Sequence, residues 1–266
     1  MSTTVVITDL DGTFLDHDSY SYKAALPAVV LLRRLNVPLV FCSSKTRNEI
    51  LSLRKELANT APYIVENGAA VCGLDSFGDT GDRVFGCSYK QIRGTLVAIR
   101  DNKKFAFTGF ADMSVAEVAA CTGLSLKEAQ QACAREFSEP LIWQDSEANL
   151  GEFLQQLADA GLQAQQGGRF LTIAGKTDKG KALNWLRHYY QSRFNNNTAQ
   201  SEAIRIIALG DSPNDQSMLN AADIAVIIRS QKSSQLSVTR PKEIIYSEEP
   251  GSKGWCSAII ALLEEK

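Results

Sequence analysis

Short apolar segments alternate with amphipathic stretches along the first 70 residues of the chain. The apolar segments are VVITDL, VPLVFCSS and PYIVENG, and the stretches between them, KAALPAVVLLRRLN and TRNEILSLRKELA, have helical periodicity. Thr46 and Glu49 form a capping-box pattern at the start of the second helix, and Pro27 suits the first turn of the first helix. Strands joined by helices pair in parallel through right-handed crossovers. The alternation therefore predicts an α/β fold with a Rossmann-like parallel sheet as its core.

A segment with a different pattern interrupts the alternation of strands and helices, which resumes after it. Residues 84–176 contain two helical patterns, SVAEVAACTG and SLKEAQQACARE, and two strand-like pieces, LIWQ and RFLTIAG. The chain continues with the helices KGKALNWLRHYYQSRF, PNDQSMLNAA and KGWCSAIIALLEE, the strands AIRIIALGD and DIAVIIR, and a polar surface loop, NNNTAQSE. The simplest organisation is a discontinuous core domain, residues 1–83 and 177–266, interrupted by an inserted α+β cap domain, residues 84–176.

Composition argues against several classes of protein. The 266 residues carry 28 basic and 30 acidic side chains, a net charge of −2, so we expect no nucleic-acid partner. The longest apolar stretches are far shorter than a bilayer span, so we expect no membrane partner. The six cysteines form no CxxC pair, which favours reduced thiols. The first residues do not resemble a signal peptide, because an acidic turn begins at Asp9. Both observations favour a cytoplasmic protein. The sequence leaves the oligomeric state open.

Polar residues cluster at the ends of the predicted strands and at one helix start. They are Asp9 and Asp11 after the first strand, Ser43, Ser44, Lys45 and Thr46 after the second, Lys179 at the helix start, and Asp211, Ser212, Asn214 and Asp215 after IRIIALG. In an open parallel sheet, ligands bind beyond the carboxyl ends of the strands. We therefore expect these clusters to meet at one edge of the sheet.

Together these side chains fit a phosphoryl-transfer site. Carboxylates from two strand ends can jointly hold Mg²⁺, which prefers oxygen ligands and retains several waters. A carboxylate close to that metal can attack phosphorus and form an aspartyl-phosphate. A lysine, backbone N–H groups and the metal neutralise the phosphoryl oxygens, and hydroxyl groups at a helix start suit a phosphate dianion. Gly12 allows the backbone to turn sharply and to approach a ligand closely.

Each cluster also has a simpler interpretation. DLDGT can be a turn, SSKT a helix cap, and SPND a helix start with Ser212 as N-cap and Pro213 at the first position. Lys179 alone can be a solvated lysine. SSKT and SPND can each cap a helix and also bind a ligand. The occurrence of all four clusters in this order favours the phosphoryl-transfer interpretation over a purely structural one.

The four motifs resemble those of the haloacid dehalogenase superfamily of phosphatases. DLDGT is similar to its first motif, FCSSKT to its second, Lys179 in DKGKAL to its third, and GDSPND to its fourth. The match covers essentially the whole chain. The insertion resembles the larger α/β cap of sugar-phosphate phosphatases, a branch in which ENGA, at residues 66–69, is also typical. REFSEP and GGRFLTIAG, together with SSKT and GDSPND, resemble the mannosyl-3-phosphoglycerate phosphatases.

The resemblance to the superfamily implies a role for each motif. Asp9 is implied to be the nucleophile, and Asp11 to protonate the leaving oxygen and then to deprotonate the hydrolytic water. Mg²⁺ is implied to bind the Asp9 carboxylate, the Asp11 backbone carbonyl and Asp211. Ser43 and Lys179 are implied to hold the transferring phosphoryl group.

Residues around these groups are implied to support them. Ser212, Asn214 and Asp215 are expected to orient the site, and Asp215 can add a metal ligand through water. Closure of the cap is expected to exclude bulk water, with glycine-rich hinges near residues 81–86 and 167–168.

Substrate recognition is expected in the second motif and in the cap. Ser44, Lys45 and Thr46 are expected to reach the carboxylate or the sugar of the substrate. Arg135 and Arg169 are expected to bind a glycerate carboxylate, because guanidinium groups pair bidentately with carboxylates. For Arg135 the alternative is a surface pair on the SLKEAQQACARE helix.

The expected activity is that of a Mg²⁺-dependent phosphomonoesterase that converts mannosyl-3-phosphoglycerate to mannosylglycerate and phosphate. One alternative is a phosphatase of another small phosphorylated sugar, of the sucrose-phosphate or hexose-phosphate type. A phosphomutase and a non-catalytic sugar-phosphate-binding module are the others. Asp9, Asp11 and Asp211 argue against the binding module, because a binder needs no nucleophile and acid two residues apart.

Overall fold

The computed structural model describes residues 3–167, 169–195 and 203–264. Gly168, part of a predicted hinge, and nearly all of the polar stretch NNNTAQSE lie outside the described residues. The strands are β1 Thr3–Thr8, β2 Leu39–Phe41, β3 Tyr63–Val65, β4 Ala70–Cys72, β5 Arg83–Val84, β6 Phe107–Gly109, β7 Ser138–Trp143, β8 Leu162–Gln166, β9 Leu171–Gly175, β10 Ile204–Gly210, β11 Ile224–Arg229 and β12 Glu243–Pro250. The α-helices are α1 Leu26–Arg34, α2 Arg47–Glu56, α3 Tyr89–Lys103, α4 Val115–Thr122, α5 Leu126–Ala132, α6 Glu147–Asp159, α7 Lys179–Asn195, α8 Gln216–Ala221 and α9 Gly251–Glu264.

The chain divides into two compact units. The first unit comprises Met1–Ser43, Asn59–Asp82 and Asp178–Lys266, and the second comprises Ser44–Ala58 and Arg83–Thr177. Helix α2, which the sequence assigned to the core domain, falls in the second unit, where its start is hydrogen-bonded to the last turn of α5. In that contact the Thr46 hydroxyl donates to the Gln131 carbonyl at 2.9 Å.

The first unit contains the parallel sheet that the sequence predicts. Its strand order is β12-β11-β10-β1-β2, and all four neighbouring pairs are parallel, which confirms the α/β fold class. The side chains of Val5, Val6 and Ile7 in β1 are fully buried, and burial of each contributes about 1.5–3 kcal/mol. Thr8 pairs with Leu209, so β1 and β10 end side by side. The residues that follow these two strands are therefore placed at the same edge of the sheet.

Two strands of the first unit differ from the sequence expectation. The segment PYIVENG was expected to continue the parallel sheet, but β3 pairs antiparallel with β4. Positive φ angles of 45° at Glu66, 58° at Asn67 and 95° at Gly68 close this hairpin, and one parallel bridge joins Cys42 to Ile64. Strand β12 was not predicted, because this edge strand is largely exposed and has no continuous apolar run.

The second unit is built on an antiparallel sheet with the order β6-β7-β9-β8. Helices α3 and α6 bury apolar side chains against it, including Leu96 and Phe153, in one core cluster with Ile173 of β9. Helices α4 and α5 form a second cluster. The sequence predicted α4, α5, β7 and β9 but missed α3 and α6. Helix α5 ends at Ala132, so the alternative of a surface pair for Arg135 on this helix is wrong.

Among the described helices, none combines the length and the hydropathy that crossing a bilayer would require.

Two helical glycines give opposite predictions for stability. A Cβ at Gly180 in α7 would lie 2.4 Å from the Ser217 carbonyl oxygen, so Gly180→Ala is expected to cost about 1–3 kcal/mol. A Cβ at the exposed Gly151 in α6 would meet nothing within 4 Å, so Gly151→Ala is expected to stabilise by up to about 1 kcal/mol. Thermal unfolding of the two variants measures both effects. Equal melting temperatures for the two would contradict this packing around α7.

Candidate active site

A buried lysine lies between two carboxylates in the first unit. Asp9 follows β1, Lys179 begins α7, and Asp215 lies in the short 3-10 turn after β10. Lys179 Nζ donates to Asp9 Oδ1 at 2.6 Å and to Asp215 Oδ1 at 2.6 Å. The side chains of Lys179 and Asp215 are fully buried, and that of Asp9 is 7% exposed. Three motifs distant in sequence therefore form one ionic cluster at the edge of the sheet.

Asp215 uses its second oxygen to hold the loop that carries Asp211. Asp215 Oδ2 accepts from the backbone N–H of Asp211 at 3.0 Å and of Ser212 at 3.1 Å. The Ser212 hydroxyl also donates to Asn214 Oδ1 at 2.5 Å. A Cβ at Gly210 would lie 2.5 Å from the Asp215 Cβ, so only glycine fits before this loop. SPND is therefore a helix start as well as a part of the site.

Asp211 is held against the turn that follows β1. The Thr13 hydroxyl donates to Asp211 Oδ1 at 3.1 Å, and Thr13 is fully buried. Gly12 has a φ of +79°, and a Cβ there would lie 2.9 Å from Asp211 Oδ2. Thr13 was not predicted as a site residue, although it is the last residue of the DLDGT motif. Gly12 is needed for the close approach of the backbone to a carboxylate, as well as for the turn.

Burial and the neighbouring carboxylates raise the pKa of Asp9 and that of Asp211. Burial, and then the charge of Asp215, raises the pKa of Asp9 well above its usual value, with Lys179 acting in the opposite direction. The charges of Asp211 and Asp11 act on Asp9 in the same sense as that of Asp215. Burial followed by Asp215 also raises the pKa of Asp211. Burial lowers the pKa of Lys179, but Asp215 and Asp9 outweigh it, so that this pKa lies above its usual value. One lysine thus faces an excess of negative charge.

The residues present fit a bound divalent cation. Carboxylate oxygens of Asp9, Asp211 and Asp215 all lie within 4.8 Å of one another, and carboxylates are the ligands that Mg²⁺ prefers. Asp215 already binds Lys179 with one oxygen and backbone N–H groups with the other, so Asp9 and Asp211 are the better side-chain ligands. A cation there would offset the buried negative charge.

Asp11 and Ser43 lie at the ends of β1 and β2. Asp11 is half-buried in the turn after β1, where the N–H of Leu15 donates to the Leu10 carbonyl at 2.8 Å. Ser43 is buried and accepts at its carbonyl from the Asn67 N–H at 2.9 Å. Strands β1 and β2 are hydrogen-bonded neighbours, so Ser43 emerges at the same edge as Asp9.

The other predicted substrate-binding residues lie in the second unit. Arg135 Nη1 donates to the Ser44 carbonyl at 2.9 Å, and its Nε donates to the Ala132 carbonyl at 2.8 Å. The Lys45 Nζ atom lies 3.8 Å from Oε1 of Glu49, four residues further along the chain. The structure thus brings Arg135 and Ser44 together, and it places Lys45 directly before the N-cap residue of α2.

Thr46 and Arg169 have different local partners. Thr46 is the N-cap of α2 and forms the predicted capping box with Glu49. Arg169 is exposed, and its Nη2 donates to the Thr122 carbonyl at the end of α4, at 3.1 Å. A further ion pair, missed in the sequence, joins Arg47 to both carboxylate oxygens of Glu136, at 2.6 and 2.9 Å. Its partners are 89 residues apart, and no local pattern relates them.

Known families match both halves of the chain. Residues 6–80 match the model for haloacid dehalogenase-like hydrolases, and residues 113–261 match that for sucrose-6F-phosphate phosphohydrolases. The glucosyl-3-phosphoglycerate/mannosyl-3-phosphoglycerate phosphatase of Methanococcoides burtonii is 37% identical over 270 residues, covering 97% of each chain. The chain belongs to the haloacid dehalogenase-like hydrolase family. A protein of the same name from Persephonella marina is 36% identical and covers 98% of this chain and 97% of its own.

A solved structure has a fold similar to that of this chain. The sucrose-phosphatase of Synechocystis, solved in complex with sucrose and phosphate, superposes with a TM-score of 0.62. The superposition covers 99% of this chain and 99% of the sucrose-phosphatase, with 16% sequence identity. At this level of identity the similarity concerns the fold alone.

The buried lysine of this family member predicts a large loss of stability on substitution. Lys179→Met keeps the aliphatic length but leaves Asp9 and Asp215 without their cation, which is expected to cost about 3–5 kcal/mol. Lys181→Met, at an exposed position on the same helix, is the matched control and is expected to stay within about 0.5 kcal/mol of wild type. Urea unfolding at neutral pH measures both, and equal stability of the two variants would contradict the ionic cluster.

Proposed function

We propose that this chain is a Mg²⁺-dependent phosphatase of mannosyl-3-phosphoglycerate or glucosyl-3-phosphoglycerate. The observation that carries the proposal is the match to two phosphatases of that name over 97–98% of the chain. The buried cluster of Asp9, Lys179 and Asp215 supplies the chemistry that such a reaction needs. The products are the glycosylglycerate and inorganic phosphate.

In the first step Asp9 is the nucleophile. A carboxylate oxygen of Asp9 forms a bond to phosphorus in line with the leaving oxygen, and the bond between phosphorus and that oxygen breaks. Asp11 donates its proton to the departing glycerate oxygen. Lys179, fixed at 2.6 Å from Asp9 Oδ1, holds the carboxylate in place and compensates the charge on the phosphoryl oxygens. The step leaves an aspartyl-phosphate on Asp9 and a deprotonated Asp11.

In the second step water releases the phosphate. Asp11 accepts a proton from the water as its oxygen bonds to phosphorus, and the bond between phosphorus and the Asp9 oxygen breaks. Inorganic phosphate leaves, Asp9 is again a carboxylate, and Asp11 is again protonated. One acid–base residue thus serves both steps, because the proton that it loses in the first step is recovered in the second.

Contacts in the first unit support the proposed roles of the residues around the nucleophile. Asp9, Asp211 and the Asp11 backbone carbonyl would hold Mg²⁺, which supplies positive charge for the phosphoryl oxygens when bound. Asp215, with both oxygens engaged, positions Lys179 and the loop of Asp211. Ser43 is assigned to the phosphoryl group.

Substrate choice is assigned to the second unit. This unit contains the predicted cap, residues 84–176, and also residues 44–58. Arg169, exposed and hydrogen-bonded through Nη2 to one carbonyl, is suited to a carboxylate. Arg135 supports the Ser44 carbonyl and retains further N–H groups for an acidic ligand. The hydroxyl of Thr46 donates within its own unit, so a capping role outweighs a binding role for this residue.

A second candidate substrate class has its own support. The match of residues 113–261 to sucrose-6F-phosphate phosphohydrolases favours a disaccharide phosphate, in which no glycerate carboxylate is present. The catalytic steps would be the same, because they involve only the phosphoryl group. The two candidates are separated by activity toward substrates with and without that carboxylate.

We expect the purified protein to hydrolyse mannosyl-3-phosphoglycerate or glucosyl-3-phosphoglycerate with Mg²⁺, and to lose this activity when the metal is chelated with EDTA. The kcat/KM for phosphate release from these substrates should be at least tenfold higher than that for sucrose-6F-phosphate. Asp9→Asn removes the nucleophile without changing its size, so it should abolish turnover while retaining substrate binding in calorimetry.

The matched control is Asp145→Asn, in the second unit, which leaves the first-unit cluster unchanged and should keep wild-type kcat. Faster turnover of sucrose-6F-phosphate would replace the proposed substrate with the second candidate. Full activity of Asp9→Asn would overturn the mechanism.

A further inference from the structure

The indole of Trp255 is joined to the nucleophile by a chain of two hydrogen bonds. Trp255 lies in α9, is fully buried, and donates from Nε1 to the Thr8 hydroxyl oxygen at 3.0 Å. The Thr8 hydroxyl in turn donates to the Asp9 carbonyl oxygen at 2.7 Å. Both bonds are buried, so water does not compete for these groups. Helix α9 thereby contacts the residue before Asp9.

The same indole also packs on the far side of the turn. The ring of Phe14 meets Trp255 edge to face, with centroids 5.0 Å apart and an interplanar angle of 89°. Phe14 is fully buried and also packs against Phe41 at the end of β2, with centroids 5.3 Å apart. Trp255 therefore contacts residues on both sides of the segment that contains Asp9 and Asp11.

The backbone of Asp9 is fixed at both of its polar groups. Its N–H donates to the Leu209 carbonyl at 2.9 Å, and its carbonyl accepts from Thr8. The Thr8 hydroxyl has a single proton, and the bond from Trp255 directs that proton toward Asp9, because it occupies an acceptor lone pair of the same oxygen. Without the indole N–H, the Thr8 hydroxyl is free to rotate and the Asp9 carbonyl loses a defined partner.

We propose that Trp255, acting through Thr8, is a positioning residue for the Asp9 nucleophile, an inference that rests on the proposed phosphatase function. In-line attack depends on placement to within a fraction of an ångström, so a small shift of the Asp9 backbone lowers the rate of the chemical step. Substrate affinity resides in other residues. The signature of positioning is therefore a fall in kcat with little change in KM.

The experiment uses full-length protein with Mg²⁺ and p-nitrophenyl phosphate, whose turnover does not depend on the identity of the natural substrate. Trp255→Phe keeps an aromatic ring against Phe14 but removes the N–H, and Thr8→Val removes the hydroxyl at constant shape. Each should lower kcat about three- to tenfold, with KM within about twofold of wild type. Thr8→Ser restores a hydroxyl and should recover most of the rate.

The double variant should show the two groups acting as one unit. Because both single changes break the same chain of bonds, the combination of Trp255→Phe and Thr8→Val should be no slower than the slower single variant. Trp143→Phe is the matched control, since it removes an indole N–H bond, to the Ser146 carbonyl at 3.3 Å, in the second unit. Its kcat should equal that of wild type.

The outcomes distinguish this inference from the proposed function. Unchanged kcat in Thr8→Val and Trp255→Phe, with a lowered melting temperature, would show a purely structural tryptophan and overturn the inference. Multiplicative losses in the double variant would also overturn it. Turnover of p-nitrophenyl phosphate without turnover of either glycosyl-3-phosphoglycerate would reject the proposed substrate alone. A wild type inactive on every phosphate ester would reject both.

Discussion

The ammonium group of Lys179, buried between the carboxylates of Asp9 and Asp215, is the interaction on which the site depends. Two carboxylates buried this close together need a cation between them, and burial together with the charge of Asp215 raises the pKa of Asp9. Lys179 offsets that cost with two bonds of 2.6 Å. The strands β1 and β10 must end side by side, and α7 must begin beside them, for these bonds to form.

The loops around this ion cluster are shaped by close backbone contact. Gly210 leaves room for Asp215, and Gly12 leaves room for Asp211, so each carboxylate packs against a residue without a side chain. Asp215 accepts hydrogen bonds from both Lys179 and the backbone N–H of Asp211, so the positions of these two residues depend on each other. The cluster is thus one connected unit, and in the proposed mechanism the placement of nucleophile, metal ligand and lysine is determined together.

Sequence patterns predicted the parts of the molecule that are local or strongly periodic. The buried strand before Asp9, the capped start of α2 and the four motifs of the resemblance follow from short segments. The edge strand β12 was not predicted because it is largely exposed, and β4, the antiparallel partner of β3, was not predicted because it is only three residues long. The bonds from Arg47 to Glu136 and from Trp255 to Thr8 join residues 89 and 247 positions apart, and no single sequence records such pairings.

In the proposed mechanism, Asp9 is the group that receives the phosphoryl group. An acyl phosphate is reduced by borohydride to an alcohol, so quenching a reaction during turnover and reducing it should convert the phosphorylated aspartate to homoserine. Mass spectrometry of the peptide spanning residues 5–16 should then find homoserine at position 9 and unchanged aspartate at position 11. Homoserine at another carboxylate, or its absence from an actively turning-over sample, would contradict the account.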